Sequence, residues 1–329
     1  MRFRRLCAAA LLATGITLTP TPATAAVSCQ DVNTPVSVGL TPLIQSQETM
    51  YGKLCVPTGA QTVQVLIPGG TYDNTYWDIG YDPSTRSYVR SQNAAGIATL
   101  ALDRLGTGKS SKPLSALVTA STQASAVHQV IKTLKPRFSK VIVAGHSIGS
   151  AMAMIEAGTY HDVDGVLVTG FTHKMNYVTV VPVLANMIPA RLDLGYLTTM
   201  PDTRYNSFHK PGPLVSGAIS FDESTKDVFA VTEAVDTILL NTVIIPISRN
   251  ITVPVMIVVG NDTHFCSSGL PLMGSDCSSA AALKADEGQF FPAVPRLDTY
   301  VLNGYGHSIN YAPNAPDYHS AVAQWSKGI

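Results

Sequence analysis

Continuous apolar runs and helically spaced apolar residues alternate along this chain. Val63–Pro68 (VQVLIP) is a run of strand length that ends in glycines, and Ile97–Asp103 (IATLALD) is a second. From Ser115 to Leu134 the apolar positions Leu117, Val118, Val127, Val130, Ile131 and Leu134 follow helical spacing, and Pro136 stops the pattern. Lys140–Gly145 (KVIVAG) predicts a third strand and Ser147–Tyr160 a helix rich in small residues. Val163–Thr169 and Val253–Gly260 read as buried strands, Leu297–Leu302 as the last strand and Ala315–Trp325 as a closing helix. β-Branched runs without polar alternation belong in strands covered on both faces. The pattern therefore predicts an α/β fold, with a mostly parallel central sheet and helices on both faces.

The rhythm breaks between residues 172 and 252, a stretch rich in Pro, Tyr and Met with short helical patches such as Asp227–Leu240. About 80 residues between two core strands is too long for an ordinary loop, so an inserted cap over the carboxyl edge of the sheet is expected. The expected organisation is 1–26 as a signal peptide, 27–171 with 253–329 as the core domain, and 172–252 as the cap. The first assignment rests on Arg2, Arg4 and Arg5, an apolar run from Leu6 to Leu18 and the small residues Ala23, Ala25 and Ala26. Cleavage is placed after Ala25 or Ala26. The run is too short to span a bilayer, and no later stretch is long and apolar enough. Export without a stable membrane anchor follows.

Composition agrees. Apolar residues make up 46% of the chain and charged residues 13%, which suits a well-buried globular protein. The formal net charge is zero, and removing the three leader arginines leaves a mildly acidic protein, so no nucleic-acid partner is expected. Past the leader, which carries Cys7, four cysteines remain: Cys29, Cys55, Cys266 and Cys277. An even number in an oxidising compartment suggests two disulfides. Neighbours along the chain favour Cys29–Cys55 and Cys266–Cys277 among the three possible pairings, each contributing roughly 2–4 kcal/mol.

Leu102–Pro113 (LDRLGTGKSSKP) looks like the end of a phosphate loop. Such a loop needs glycine five residues before Gly108, and Asp103 stands there, a carboxylate that would repel phosphate. A turn after a strand explains Gly106 and Gly108 better. The chemistry lies elsewhere, in Gly145-His146-Ser147-Ile148-Gly149, a G-x-S-x-G pattern between a predicted strand and a predicted helix. That context predicts a strained turn presenting Ser147 beside a helix N-terminus. Serine needs a base. Of eight histidines, His307 (LNGYGHSI) follows the last strand. His146 sits inside the turn, pointing away, while His128, His161, His173, His209 and His319 read as surface or packing residues. Asp262 follows Val253–Gly260 at the same sheet edge and would hold the base. His264 either lines the site or, as the preferred reading, packs beside the Cys266 bridge. The backbone N–H groups of Gly70 and Ile148 are the candidate oxyanion donors. No H-E-x-x-H or clustered Cys/His spacing appears, and no metal or cofactor is expected.

In this order the motifs resemble the α/β-hydrolase family, over nearly the whole chain past the leader. PGGTYDNTYW, with Trp77, resembles its oxyanion loop, and DRLGTGKSSKP resembles its D-x-x-G-x-G-x-S loop, which places Asp103 and Arg104 in a supporting network. GHSIG resembles the nucleophile turn, VVGNDTHFC the acid loop and GYGHSIN the base loop. The resemblance implies a Ser147–Asp262–His307 triad. Pro68 replaces the usual His, removing a brace of the oxyanion loop, and Asp262 lies two residues past its glycine where three is commoner. The implied activity is hydrolysis of an uncharged, fairly hydrophobic ester or lactone, with thioester hydrolysis, C–C bond hydrolysis or perhydrolysis as alternatives. A non-catalytic protein that binds a lipophilic ligand on the same scaffold is a further alternative.

Overall fold

Apolar side chains alternate between two opposite packing layers along the central strands, and this fixes a sheet covered on both faces. The computed structural model describes residues 26–41, 44–243, 246–266 and 273–329; residues 1–25, which hold most of the expected signal peptide, lie outside them. In chain order the strands are β1 (Val27–Thr41), β2 (Ile44–Pro57), β3 (Thr62–Ile67), β4 (Ala98–Leu102), β5 (Lys140–His146), β6 (Gly165–Thr169), β7 (Met187–Pro189), β8 (Tyr196–Thr199), β9 (Phe229–Ala230), β10 (Val255–Gly260) and β11 (Leu297–Leu302). The α-helices are α1 (Pro83–Arg86), α2 (Tyr88–Ala94), α3 (Ala120–Leu134), α4 (Ile148–Tyr160), α5 (Tyr177–Ala185), α6 (Ser216–Ser224), α7 (Val231–Ile238), α8 (Ala280–Glu287) and α9 (Ala315–Lys327).

The main sheet runs β1-β2-β4-β3-β5-β6-β10-β11. Only the pairs β1–β2 and β2–β4 are antiparallel. On one face Val65, Val143 and Ile257 pack with Val127, Ile131 and Met152 of α3 and α4. On the other, Leu66, Ile142 and Val258 pack with Tyr88, Tyr318 and Trp325 of α2 and α9. Each fully buried side chain of this size contributes about 1.5–3 kcal/mol.

One element lies outside the sequence expectations, and two expectations shift. In the long hairpin β1–β2 most of the outer part of β1 is exposed, while Val36, Val38, Met50, Tyr51, Leu54 and Cys55 are buried. Helix α3 starts at Ala120 rather than Ser115. Thr119 caps it by accepting from the Thr122 backbone N–H at 3.1 Å, while Thr122 accepts from the Thr119 N–H at 2.8 Å. The patch Asp227–Leu240 splits into the short strand β9 and α7, because Glu233 turns back to accept from the Ala230 N–H at 2.7 Å. The disulfides pair Cys29 with Cys55 and Cys266 with Cys277, the first joining directly opposed positions of β1 and β2. Between β6 and β10 the chain forms the antiparallel sheet β7-β8-β9 and helices α5 to α7.

Candidate active site

Ser147 links β5 to α4 with φ 55° and ψ −124°, a conformation that costs a non-glycine residue about 1–3 kcal/mol. Its neighbours explain how the turn closes. A Cβ on Gly145 would fall 2.2 Å from the Gly149 carbonyl oxygen, and one on Gly149 would fall 2.4 Å from that of Ile67. The turn is pinned to β6, where the Thr169 carbonyl accepts from the Ser147 N–H and from the Ser150 hydroxyl, both at 2.9 Å. Gly149→Ala is therefore expected to destabilise the fold by about 1–3 kcal/mol, read as a lower denaturant midpoint at unchanged m-value.

His307 and Asp262 meet from the ends of β11 and β10. Asp262 Oδ2 lies 2.5 Å from His307 Nδ1. Its Oδ1 accepts from the His264 N–H at 2.9 Å and faces His264 Nδ1 at 2.8 Å. Burial alone would raise the Asp262 pKa, but the imidazoles of His307 and His264 hold it well below the usual carboxylate range. For His264, burial pulls down, and the Asp262 charge more than offsets it, leaving the imidazole raised. His307 Nε2 has no hydrogen-bond partner among the described residues, which leaves it available to a reacting group. The ligand atoms of Asp262, His264 and His307 lie within 4.8 Å of one another, close enough to hold an ion, yet both carboxylate oxygens already face imidazole nitrogens. His264 thus pairs with Asp262 and lines the cavity, one of the two readings the sequence left open.

Gly70 and Ile148 lie on the same cavity wall as Ser147, and neither backbone N–H has a protein acceptor among the described residues. The brace lost with Pro68 comes from another direction. Buried Arg104 donates through Nη2 to the Gly69 carbonyl at 3.2 Å and to that of Val228 at 3.0 Å, and its Nη1 pairs with buried Glu233. The loop that mimics a phosphate site closes around its own carboxylate. Asp103 Oδ1 accepts from the Asn74 N–H at 2.9 Å and Oδ2 from the Lys109 N–H at 2.7 Å. A Cβ on Gly108 would fall 2.0 Å from that Oδ2.

Ser147, His307, Gly70 and Ile148 face one cavity of ≈ 140 Å³. Phe171, Met175, Val183, Leu184 and Met187 line it. Tyr177, Ile188 and Leu194 are exposed instead, and Tyr196 is buried apart from it. Phe208 and Phe229 also line the cavity; Phe208 lies in a stretch without helical or strand periodicity, and Phe229 lies in the Asp227–Leu240 patch as part of β9. His146 is buried with its ring stacked 4.2 Å from that of Tyr76, and burial lowers its pKa far below the ordinary value. His173 and His209, expected as packing residues, sit in buried polar networks with Glu287 and Asp222, at 2.7 Å in each case.

Solved structures share the fold at low identity. An esterase from Thermogutta terrifontis is 14% identical with a TM-score of 0.55, covering 91% of this chain and 98% of its own. A monoacylglycerol lipase from Paleococcus ferrophilus is 17% identical with a TM-score of 0.56, covering 84% of this chain and 98% of its own. A bacterial membrane phospholipase A is 14% identical with a TM-score of 0.58, covering 90% of this chain and 87% of its own. No curated protein matches the chain. The model of the alpha/beta hydrolase family matches residues 64–317. That span takes in the glycine loop at Gly69, the Ser147 turn and the loops of Asp262 and His307, and the chain belongs to the alpha/beta hydrolase family.

Proposed function

We propose that the protein is a secreted serine hydrolase that cleaves an uncharged, fairly hydrophobic carboxylic ester or lactone through an acyl-enzyme. The observation that carries this reading is the convergence of Ser147, His307 and two unengaged backbone N–H groups on one apolar cavity. Ser147 Oγ attacks the carbonyl carbon while His307 Nε2 takes its proton. The Gly70 and Ile148 N–H groups stabilise the oxyanion. His307 returns the proton to the leaving oxygen, and Asp262 holds the imidazolium through Nδ1. Water, deprotonated by the same imidazole, then releases the acid and restores Ser147.

Residues 172–252 act as the cap and supply most of the acyl-binding wall. Apart from the imidazoles of His264 and His307, no ionisable side chain among the described residues lines the cavity, which disfavours charged substrates. Helix α5 adds an apolar outer surface, with Val178 and Val181 65% and 58% exposed. Export is supported by the two disulfides and the cationic, apolar N-terminal sequence. Among the described residues no helix is long and apolar enough to cross a membrane.

The test combines a fluorophosphonate label with a panel of p-nitrophenyl esters of increasing acyl length and several lactones. Stoichiometric labelling and a preference for uncharged apolar acyl groups are expected. A protein that binds such ligands but neither labels nor turns over is the non-catalytic alternative. Turnover confined to short soluble or charged esters overturns the substrate reading.

A further inference from the structure

A second group of titratable side chains lies away from the Ser147 cavity, where α3 and α4 pack together. His128 comes from α3, Glu156 from the last turns of α4 and Asp162 from the loop that follows. His128 Nδ1 is 3.1 Å from Asp162 Oδ2 and 3.6 Å from Glu156 Oε1. One ligand atom from each residue falls within 4.8 Å of the others. Contacts between donor and acceptor would normally satisfy such groups, yet here they do not. Buried His128 Nδ1, both Glu156 carboxylate oxygens and Asp162 Oδ1 lack any hydrogen-bond partner among the described residues. The Glu156 side chain has no exposure at all, while those of His128 and Asp162 keep 22% and 18%. A buried carboxylate without a donor is costly, and here its Oε1 stops 3.6 Å from the imidazole nitrogen, beyond hydrogen-bond reach.

We propose that His128, Glu156 and Asp162 form a binding site for a divalent transition-metal ion, with zinc as the best match. Ligands about 2.0–2.1 Å from a tetrahedral zinc stand roughly 3.3 Å apart, and the two separations from Nδ1 bracket that value. One nitrogen and two carboxylate oxygens are a zinc donor set, with the fourth position open to water on the exposed side. The imidazole is already oriented, because its ring stacks on that of Tyr160 with centroids 3.8 Å apart and planes 9° from parallel. The nearby Lys135 ammonium is engaged by the Asp162 backbone carbonyl, not by a ligand carboxylate. No ligand-spacing motif announces the site because its residues are 28 and 6 positions apart along the chain. The ion ties α3 to the far end of the helix that begins beside Ser147, and its role is structural.

The experiment is a thermal melt of the chelator-treated full chain with zinc chloride. Wild-type protein is expected to gain about 5 °C at saturation and to bind cobalt(II) with a visible absorption band. Glu156→Gln keeps the volume and burial of the side chain, so it is expected to fold and hydrolyse esters normally while losing both responses. His128→Ala, at a partly exposed position, is expected to lose them as well. A shared proton between Glu156 and Asp162 would fill the same gap and predicts no zinc response in wild type, which overturns the proposal. An equal shift in wild type and both variants also overturns it, because the ion would then sit elsewhere, such as at Asp262, His264 and His307.

Discussion

Ser147→Ala is expected to lower ester turnover by roughly 10⁴- to 10⁶-fold and to abolish fluorophosphonate labelling. The size follows from what remains. The substitution leaves the apolar cavity, the two proposed oxyanion donors and the Asp262–His307 pair in place, so substrate binding is expected to persist. What disappears is the oxygen proposed to form the acyl-enzyme, and a water in its stead is neither fixed at the turn nor deprotonated from the same position. KM is therefore expected to change little while kcat collapses. The fold supplies a built-in control, because Ser147 adopts φ 55° and alanine at that angle carries the same strain. Ser147→Gly relieves it and is expected to be as inactive as alanine yet more stable by about 1 kcal/mol. Full turnover by either variant would remove the serine mechanism.

Legibility in the sequence tracks how local the determining physics is. β5, the Ser147 turn and α4 could be read because a buried run, two obligatory glycines and a helix lie within twenty-one consecutive residues, 140 to 160. The β1–β2 hairpin could not, because its stability comes from a backbone ladder and the Cys29–Cys55 link rather than from a continuous apolar run. The partners of Asp262 show the same divide. His307 is marked in the sequence by following a strand, whereas a histidine two residues past an aspartate carries no pattern that fixes its partner. The Arg104 brace on the Gly69 carbonyl joins residues 35 positions apart. Only the missing histidine at position 68 hinted that something must replace it. Short strands β7 to β9 are two to four residues long, below the length at which periodicity can be recognised.

Asp222→Ala is expected to destabilise the protein by about 3–5 kcal/mol, a large fraction of the roughly 5–15 kcal/mol typical of a folded domain. Asp222 is fully buried and receives Arg204 through two bonds, Nε to Oδ2 at 2.7 Å and Nη2 to Oδ1 at 2.8 Å. Burial would raise its pKa, but Arg204 and His209 hold it well below the ordinary range. Its contribution is thus fully present above the unfolded value of about 3.9 and is lost as pH falls toward the lower folded value. The variant should accordingly lose part of the wild-type sensitivity to acid. Removing the carboxylate strands a guanidinium that also donates to Thr71 Oγ1 at 3.0 Å and lies 4.5 Å above the Tyr72 ring. Thr71 lines the cavity beside Gly70. On the other side, the Phe208 carbonyl accepts from the Ser308 N–H at 2.9 Å and that of His209 from the Gly306 N–H at 3.2 Å, so the network grips the His307 loop from both flanks. A shift there is expected to lower kcat/KM by up to about 10²-fold, mostly through kcat. Pairing the change with Arg204→Met removes the stranded charge and should restore much of the stability, since an apolar pair of similar volume often replaces a buried ion pair without loss. An unchanged melting temperature in Asp222→Ala, or a double variant no more stable than the single, would show that this ion pair does not hold the two loops in place.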